Sequence, residues 1–166
     1  DEVYNYSGDN MLLIDIRSGK DYADGHIKGS LNLKLKELID YAQVSGFPDY
    51  DKVVLVCYTG QSASYGAAVL HMLGYTNVYA MKWGMTAWNS KFTAKWKKNI
   101  SDVLIEKLST KESTKDTKSE LPDITSKKNS GPEILYEKAK EVLNEGFGKA
   151  GADQEFLKAF AKKLYI

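Results

Sequence analysis

Short apolar runs alternate with helical patterns through the first hundred or so residues of the chain. Residues 11–16, MLLIDI, form a continuous apolar run of the length of a buried strand. Residues 31–39, LNLKLKELI, begin with period-two alternation and then pass into helical period. Residues 52–57, KVVLVC, are the most apolar run and predict a central strand. Residues 62–73, SASYGAAVLHML, predict a helix with Ser62 as its N-cap and Gly74 as the residue just past its end. Residues 77–81, NVYAM, predict another strand, and a helix carrying Trp88 starts after Gly84. This alternation predicts an α/β domain with a largely parallel sheet over residues 1–99.

The character changes beyond that point. Residues 100–131 are assigned to a polar linker, and 109–131 consist almost wholly of Ser, Thr, Lys, Asp and Glu. Such a composition buries little apolar surface, so a mobile connection is expected. Residues 132–166 are expected to form a helical extension. The first helix opens with Pro132, and the second, DQEFLKAFAKKLYI, repeats apolar residues at helical spacing.

Composition narrows the function classes. Hydrophobic content of 43% and charged content of 27% describe an ordinary globular protein, and a net charge of +1 gives no expectation of nucleic acid or anionic membrane as a partner. No apolar run approaches the length of a membrane span. The chain starts at Asp1 rather than Met, so a native N-terminus is expected to have been removed. A soluble protein of either cytoplasm or periplasm is compatible with this pattern. A single cysteine makes no internal disulfide. The two histidines and one cysteine have no metal-ligand spacing, so neither a metal nor another cofactor is expected.

That cysteine, Cys57, stands where an apolar run meets a short loop, Tyr58, Thr59, Gly60, Gln61 and Ser62, before a helix. A thiol reacts as its thiolate, and the unpaired amides at a helix start favour negative charge. A loop containing Gly60 can curl its amides around the sulfur. Strand ends are also where open α/β sheets bind ligands. The competing reading is a small buried hydrophobe, the ordinary fate of a lone cysteine.

A second motif separates these readings. DIRSGKDYADGHIKGSLNL, residues 15–33, together with CYTGQS at 57–62, resembles the rhodanese family signature. Asp15, Arg17, Asp21, Tyr22, Gly25, His26, Ile27, Gly29, Ser30 and Asn32 follow it in order and spacing. GYTNVYAMKWGMTAW is similar to the family's closing strand, turn and tryptophan helix. The resemblance implies a three-layer α/β fold with a mostly parallel central sheet flanked by helices, to which the C-terminal helical extension is added. It implies a sulfurtransferase whose Cys57 takes sulfane sulfur from thiosulfate or a polysulfide, becomes a persulfide, and passes the sulfur to a thiol or cyanide acceptor. The amides of Tyr58, Thr59, Gly60, Gln61 and Ser62 would hold the anionic sulfur. Related phosphatases have a loop one residue longer with an arginine, and Ala63 stands there instead.

The family's cationic loop residues are replaced by neutral ones here, which leaves Arg17 and Lys82 as candidate anion contacts. Asp15 and His26 are expected to brace the site, and His71 to lie on a helix face. Trp83 occupies the first of two positions usually held by glycine in the closing turn, and its ring is expected to wall the mouth. Two further classes remain open: a sulfur carrier that presents its persulfide to a partner, and a non-catalytic binding module. DQEFLKAFAKKLYI also parallels EVYNYSGDNMLLI at the start of the chain, which raises a second rhodanese-like repeat in the parent protein against a simple helical appendage.

Overall fold

The computed structural model of the chain describes residues 10–102, 105–111 and 123–151. Strands β1 (Met11–Asp15), β2 (Leu31–Asn32), β3 (Lys52–Val56) and β4 (Val78–Ala80) form one parallel sheet in the order β2-β1-β3-β4. Helices α1 (Gly19–Asp24), α2 (Leu38–Val44), α3 (Gln61–Met72), α4 (Gly84–Trp88), α5 (Ala94–Asn99) and α6 (Gly131–Gly151) surround or follow it.

β3 lies inside the sheet, between β1 and β4, and both its faces are covered. That is why it reads as an unbroken apolar run: Val53, Val54, Leu55 and Val56 are all buried. Alternate residues serve opposite layers. Val53 and Leu55 join Ile14, Leu38, Phe47 and Leu70 on one face. Val54 and Val56 join Ile27, Met81, Met85 and Phe92 on the other. The result is a parallel sheet between two layers, the architecture expected from the alternating pattern.

Two local features depart from the pattern. β2 has only two residues, because the chain leaves the ladder at Leu33. Leu33 and Leu35 continue the apolar alternation by packing under the sheet edge instead. The Lys34 amide is taken by Glu37 Oε2 at 3.0 Å, which starts a 3-10 turn, Leu35–Glu37, leading into α2. Ser62 is not the N-cap of α3. Gly60 is, at φ 88°, and its carbonyl accepts the Ser64 amide at 2.8 Å, so Ser62 falls inside the first turn. At the other end Gly74 does lie just past the helix. It has φ 94°, its amide bonds the His71 carbonyl at 2.9 Å, and the Tyr75 amide bonds Leu70 at 3.0 Å.

The long C-terminal helix α6 docks on the α/β layers. Ala139 and Leu143 are buried in the same cluster as α2 and α3. Tyr65 of α3 donates its hydroxyl to the Val142 carbonyl at 2.7 Å. Tyr136 reaches Gln43 Oε1 at 2.9 Å, and Lys140 Nζ lies 2.6 Å from Asp40 Oδ1. The Lys140 hydrogen bond, opposed by slight desolvation, holds the Asp40 carboxyl below its ordinary pKa. At Gly146, φ 77° and ψ 157°, the helix breaks, and Phe147 beyond it meets the Tyr65 ring edge-on. Among the described residues no helix is long and apolar enough to cross a membrane. The segments on which the repeat comparison rests, before residue 10 and after residue 151, lie outside the described residues, as does 112–122 of the polar stretch.

Candidate active site

Asp15 pairs with Val56 at the carboxyl ends of the two inner strands, and the Ile16 amide bonds the Val56 carbonyl at 2.8 Å. The residues that leave β1 and β3 therefore emerge side by side, with Arg17 on one exit and Cys57 on the other. Parallel register thus brings together two motifs forty positions apart in the chain.

Cys57 is 6% exposed, and its Sγ accepts the Gly60 amide at 3.1 Å. The loop 57–62 is held from its far side as well. The Cys57 carbonyl accepts the Met85 amide at 2.8 Å, and the Tyr58 carbonyl accepts the Thr86 amide at 2.9 Å. These are first-turn amides of α4, which have no acceptor within their own helix. The contact demands glycine at position 84: a β-carbon there would lie 2.2 Å from the Cys57 carbonyl oxygen, and its φ is 52°. Gly60 is similarly confined, with Trp83 N at 3.1 Å and Met81 O at 3.2 Å from the site of a β-carbon. Gln61, Ser62 and Ala63 follow in the first turn of α3, where backbone donors again lack intrahelical acceptors.

Arg17 is buried and bound to Asp15 through Nε at 2.9 Å and Nη2 at 2.6 Å, and Nη2 also donates to the Gly25 carbonyl at 2.7 Å. Burial pulls the guanidinium pKa down, but the hydrogen bonds and charge of Asp15 outweigh it, so Arg17 remains protonated with a raised pKa. Its Nη1 has no hydrogen-bond partner among the described residues. The guanidinium sits against both the Tyr58 and Phe92 rings, with centroid distances of 5.1 and 5.2 Å, and the two rings meet each other edge-on at 6.5 Å. Asn32 Nδ2 donates to the Asp15 and Arg17 carbonyls at 2.8 and 3.0 Å, which fixes the exit of β1.

His26 is exposed and away from this junction. Its ring stacks on Tyr22 at 3.7 Å, and Nδ1 donates to the Tyr22 carbonyl at 2.9 Å, so it ties the turn after α1. Tyr22 in turn bonds the Ser30 carbonyl. His71 lies on α3 with Nε2 2.6 Å from the Val78 carbonyl. Lys82 is exposed on the turn that packs against Gly60, and Trp83 beside it is 50% exposed. Among the described residues no three His, Cys, Asp or Glu side chains converge on one point.

One contact escaped the sequence. Tyr58 donates its hydroxyl to Asp21 Oδ1 at 2.5 Å, across 37 positions. Asp21 also receives the Ser18 hydroxyl at 2.7 Å. Burial of the ring and the bond to Asp21 raise the Tyr58 pKa above 10.0. Tyr58 thus fastens the loop to α1, and no periodicity or spacing relates the two residues.

A buried aspartate–arginine pair beside a thiol-bearing loop, on a parallel α/β sheet, places the chain in a known class. It belongs to the rhodanese-like domain family, whose profile matches residues 1–91. Its relatives include thiosulfate sulfurtransferase GlpE of Shewanella oneidensis, 37% identical over 81 residues that cover 48% of this chain and 77% of that protein. The protein of the same name from Pseudoalteromonas translucida is 32% identical over 91 residues, 52% of this chain and 81% of its own. A solved rhodanese-related protein from Thermoplasma volcanium has a TM-score of 0.46 and 21% identity, covering 55% of this chain and 86% of its own.

Proposed function

We propose that this protein is a sulfurtransferase that works through a Cys57 persulfide. The observation that carries the reading is the Gly60 amide donating to Cys57 Sγ at 3.1 Å, in a six-residue loop that enters the start of α3. An amide donor at sulfur stabilises the thiolate, and the same donor serves the persulfide anion that follows. The Cys57 thiolate attacks the outer sulfur of thiosulfate, the S–S bond breaks, and sulfite leaves with its electron pair. A polysulfide donor would release a shorter polysulfide in the same way. Cyanide or a thiolate then attacks the terminal sulfur, and the Cys57 thiolate is regenerated.

The amides of Tyr58, Thr59, Gly60, Gln61 and Ser62 are assigned the anionic sulfur. Lys82 supplies positive charge from the exposed turn, and Arg17 supplies it from a buried position, since Nε and Nη2 are engaged by Asp15 and Gly25. Asp15 holds Arg17, and His26 holds the turn. Because the loop side chains are neutral, a polysulfide or a protein persulfide fits as donor as well as thiosulfate does.

The test is direct. Protein incubated with thiosulfate or polysulfide should gain one sulfur atom by intact mass, and cyanide should then release it as thiocyanate. Cys57→Ser should do neither. Labelling with negligible turnover would assign the chain as a carrier, and equal labelling of wild type and Cys57→Ser would remove the enzymatic reading.

A further inference from the structure

Trp83 is the one described residue other than glycine with a positive φ, at 61°. Side chains disfavour this region, and 50% exposure of Trp83 means that burial does little to compensate. Its ring meets Trp96 of α5 edge-on, at 5.2 Å and 71°, and Trp96 is itself 38% exposed. Strained backbone that presents a pair of aromatic rings to solvent is characteristic of binding surfaces. The pair adjoins the reactive loop, since Trp83 N abuts Gly60 and the next residue, Gly84, abuts the Cys57 carbonyl.

Charge indicates the occupant. Residues 82–101 contain five lysines and no Asp or Glu, although the whole chain has a net charge of only +1. Lys91 is paired with Asp24 at 3.0 Å. Lys82, Lys97 and Lys98 are exposed and have no ion pair with a described residue. A small sulfur anion spans only a fraction of a surface that runs from the turn at 82 to the end of α5. Outside this stretch acidic residues outnumber basic ones, which opposes a long polyanion such as a nucleic acid.

We propose that the Trp83–Trp96 pair and its flanking lysines dock an acidic segment of a partner protein that delivers sulfur to Cys57 or takes it away. This rests on the sulfur-transfer reading above for its purpose, but not for its binding.

The test uses a short Glu-rich peptide with one central cysteine, and a Lys-rich peptide of equal length. Wild type should bind the Glu-rich peptide, with affinity falling as salt rises, and should not bind the Lys-rich one. The double variant Lys97→Glu/Lys98→Glu, and separately Trp96→Ala, should weaken that binding about tenfold or more. Both should keep thiocyanate formation from thiosulfate and cyanide within about twofold of wild type, because small reactants bypass the surface. Cys57→Ser should bind the peptide as wild type does. Equal binding of the two peptides, unchanged affinity in both variants, or tighter binding of a single-stranded oligonucleotide would overturn the docking surface. If peptide binding holds while Cys57 never acquires sulfur, the surface stands and the enzymatic reading is the one that fails.

Discussion

Gly84 has φ 52°, and a β-carbon placed on it would sit 2.2 Å from the Cys57 carbonyl oxygen. Both facts exclude any other residue unless the two loops separate. Gly84→Ala should therefore cost more than about 2 kcal/mol of stability, seen as a lower urea midpoint, with loss of cyanide turnover. A midpoint equal to wild type would mean that the loops do not need this contact. Tyr58 constrains the same loop from the α1 side through Asp21. Its folded pKa is raised above 10.0, by desolvation first and by Asp21 second. The unfolded tyrosine therefore ionises first, and the contribution, complete below pH 10, is lost as pH rises through the folded value. Above pH 10 the wild-type urea midpoint should fall faster than that of Tyr58→Phe; parallel curves would show that the hydroxyl contributes no such dependence. Cys57, the one thiol, was legible as a candidate from position alone. What holds its loop was not, because Asp21 and Met85 belong to other elements.

At the scale of elements, α3 is set by its ends. Gly60 turns the chain into the helix and Gly74 turns it out, and the helix carries Tyr65 toward α6. The sequence placed Gly74 correctly but put the N-cap two residues late, at Ser62. Capping preference favours serine over glycine in general, whereas φ of 88° at residue 60, with Met81 and Trp83 backbone crowding it, favours glycine. The extension helix α6 was recognisable as a helical pattern opening at Pro132, but its docking face was not. Leu143 is 2% exposed against α2 and α3, so Leu143→Ala should destabilise the protein by about 2–4 kcal/mol in a single cooperative transition. If α6 unfolds separately, a first transition will shift while the second keeps its midpoint.

For the whole molecule, the order β2-β1-β3-β4 decides where chemistry can occur. β1 and β3 are neighbours although α1, β2 and α2 lie between them in the chain, and their shared register sets Arg17 beside the loop of Cys57. The same arrangement sorts the alternate residues of β3 into two cores, which makes the sheet a rigid base for the loops at its carboxyl edge. Whereas α1 and α5 came only with the structure, the sequence by itself determined the α/β class, the four strands, helices α2, α3 and α4, the family and Cys57 as the candidate reactive residue. Those are local properties, carried by periodicity, turn-forming glycines and short motifs whose members are close in the chain. The tertiary structure alone decided that α4 amides grip the Cys57 and Tyr58 carbonyls, that Tyr58 reaches Asp21, that α6 covers α3, and that Trp83 and Trp96 meet beside the loop. Each of these joins residues whose separation along the chain imposes no spacing rule, and only the packing of layers against one sheet brings them within reach.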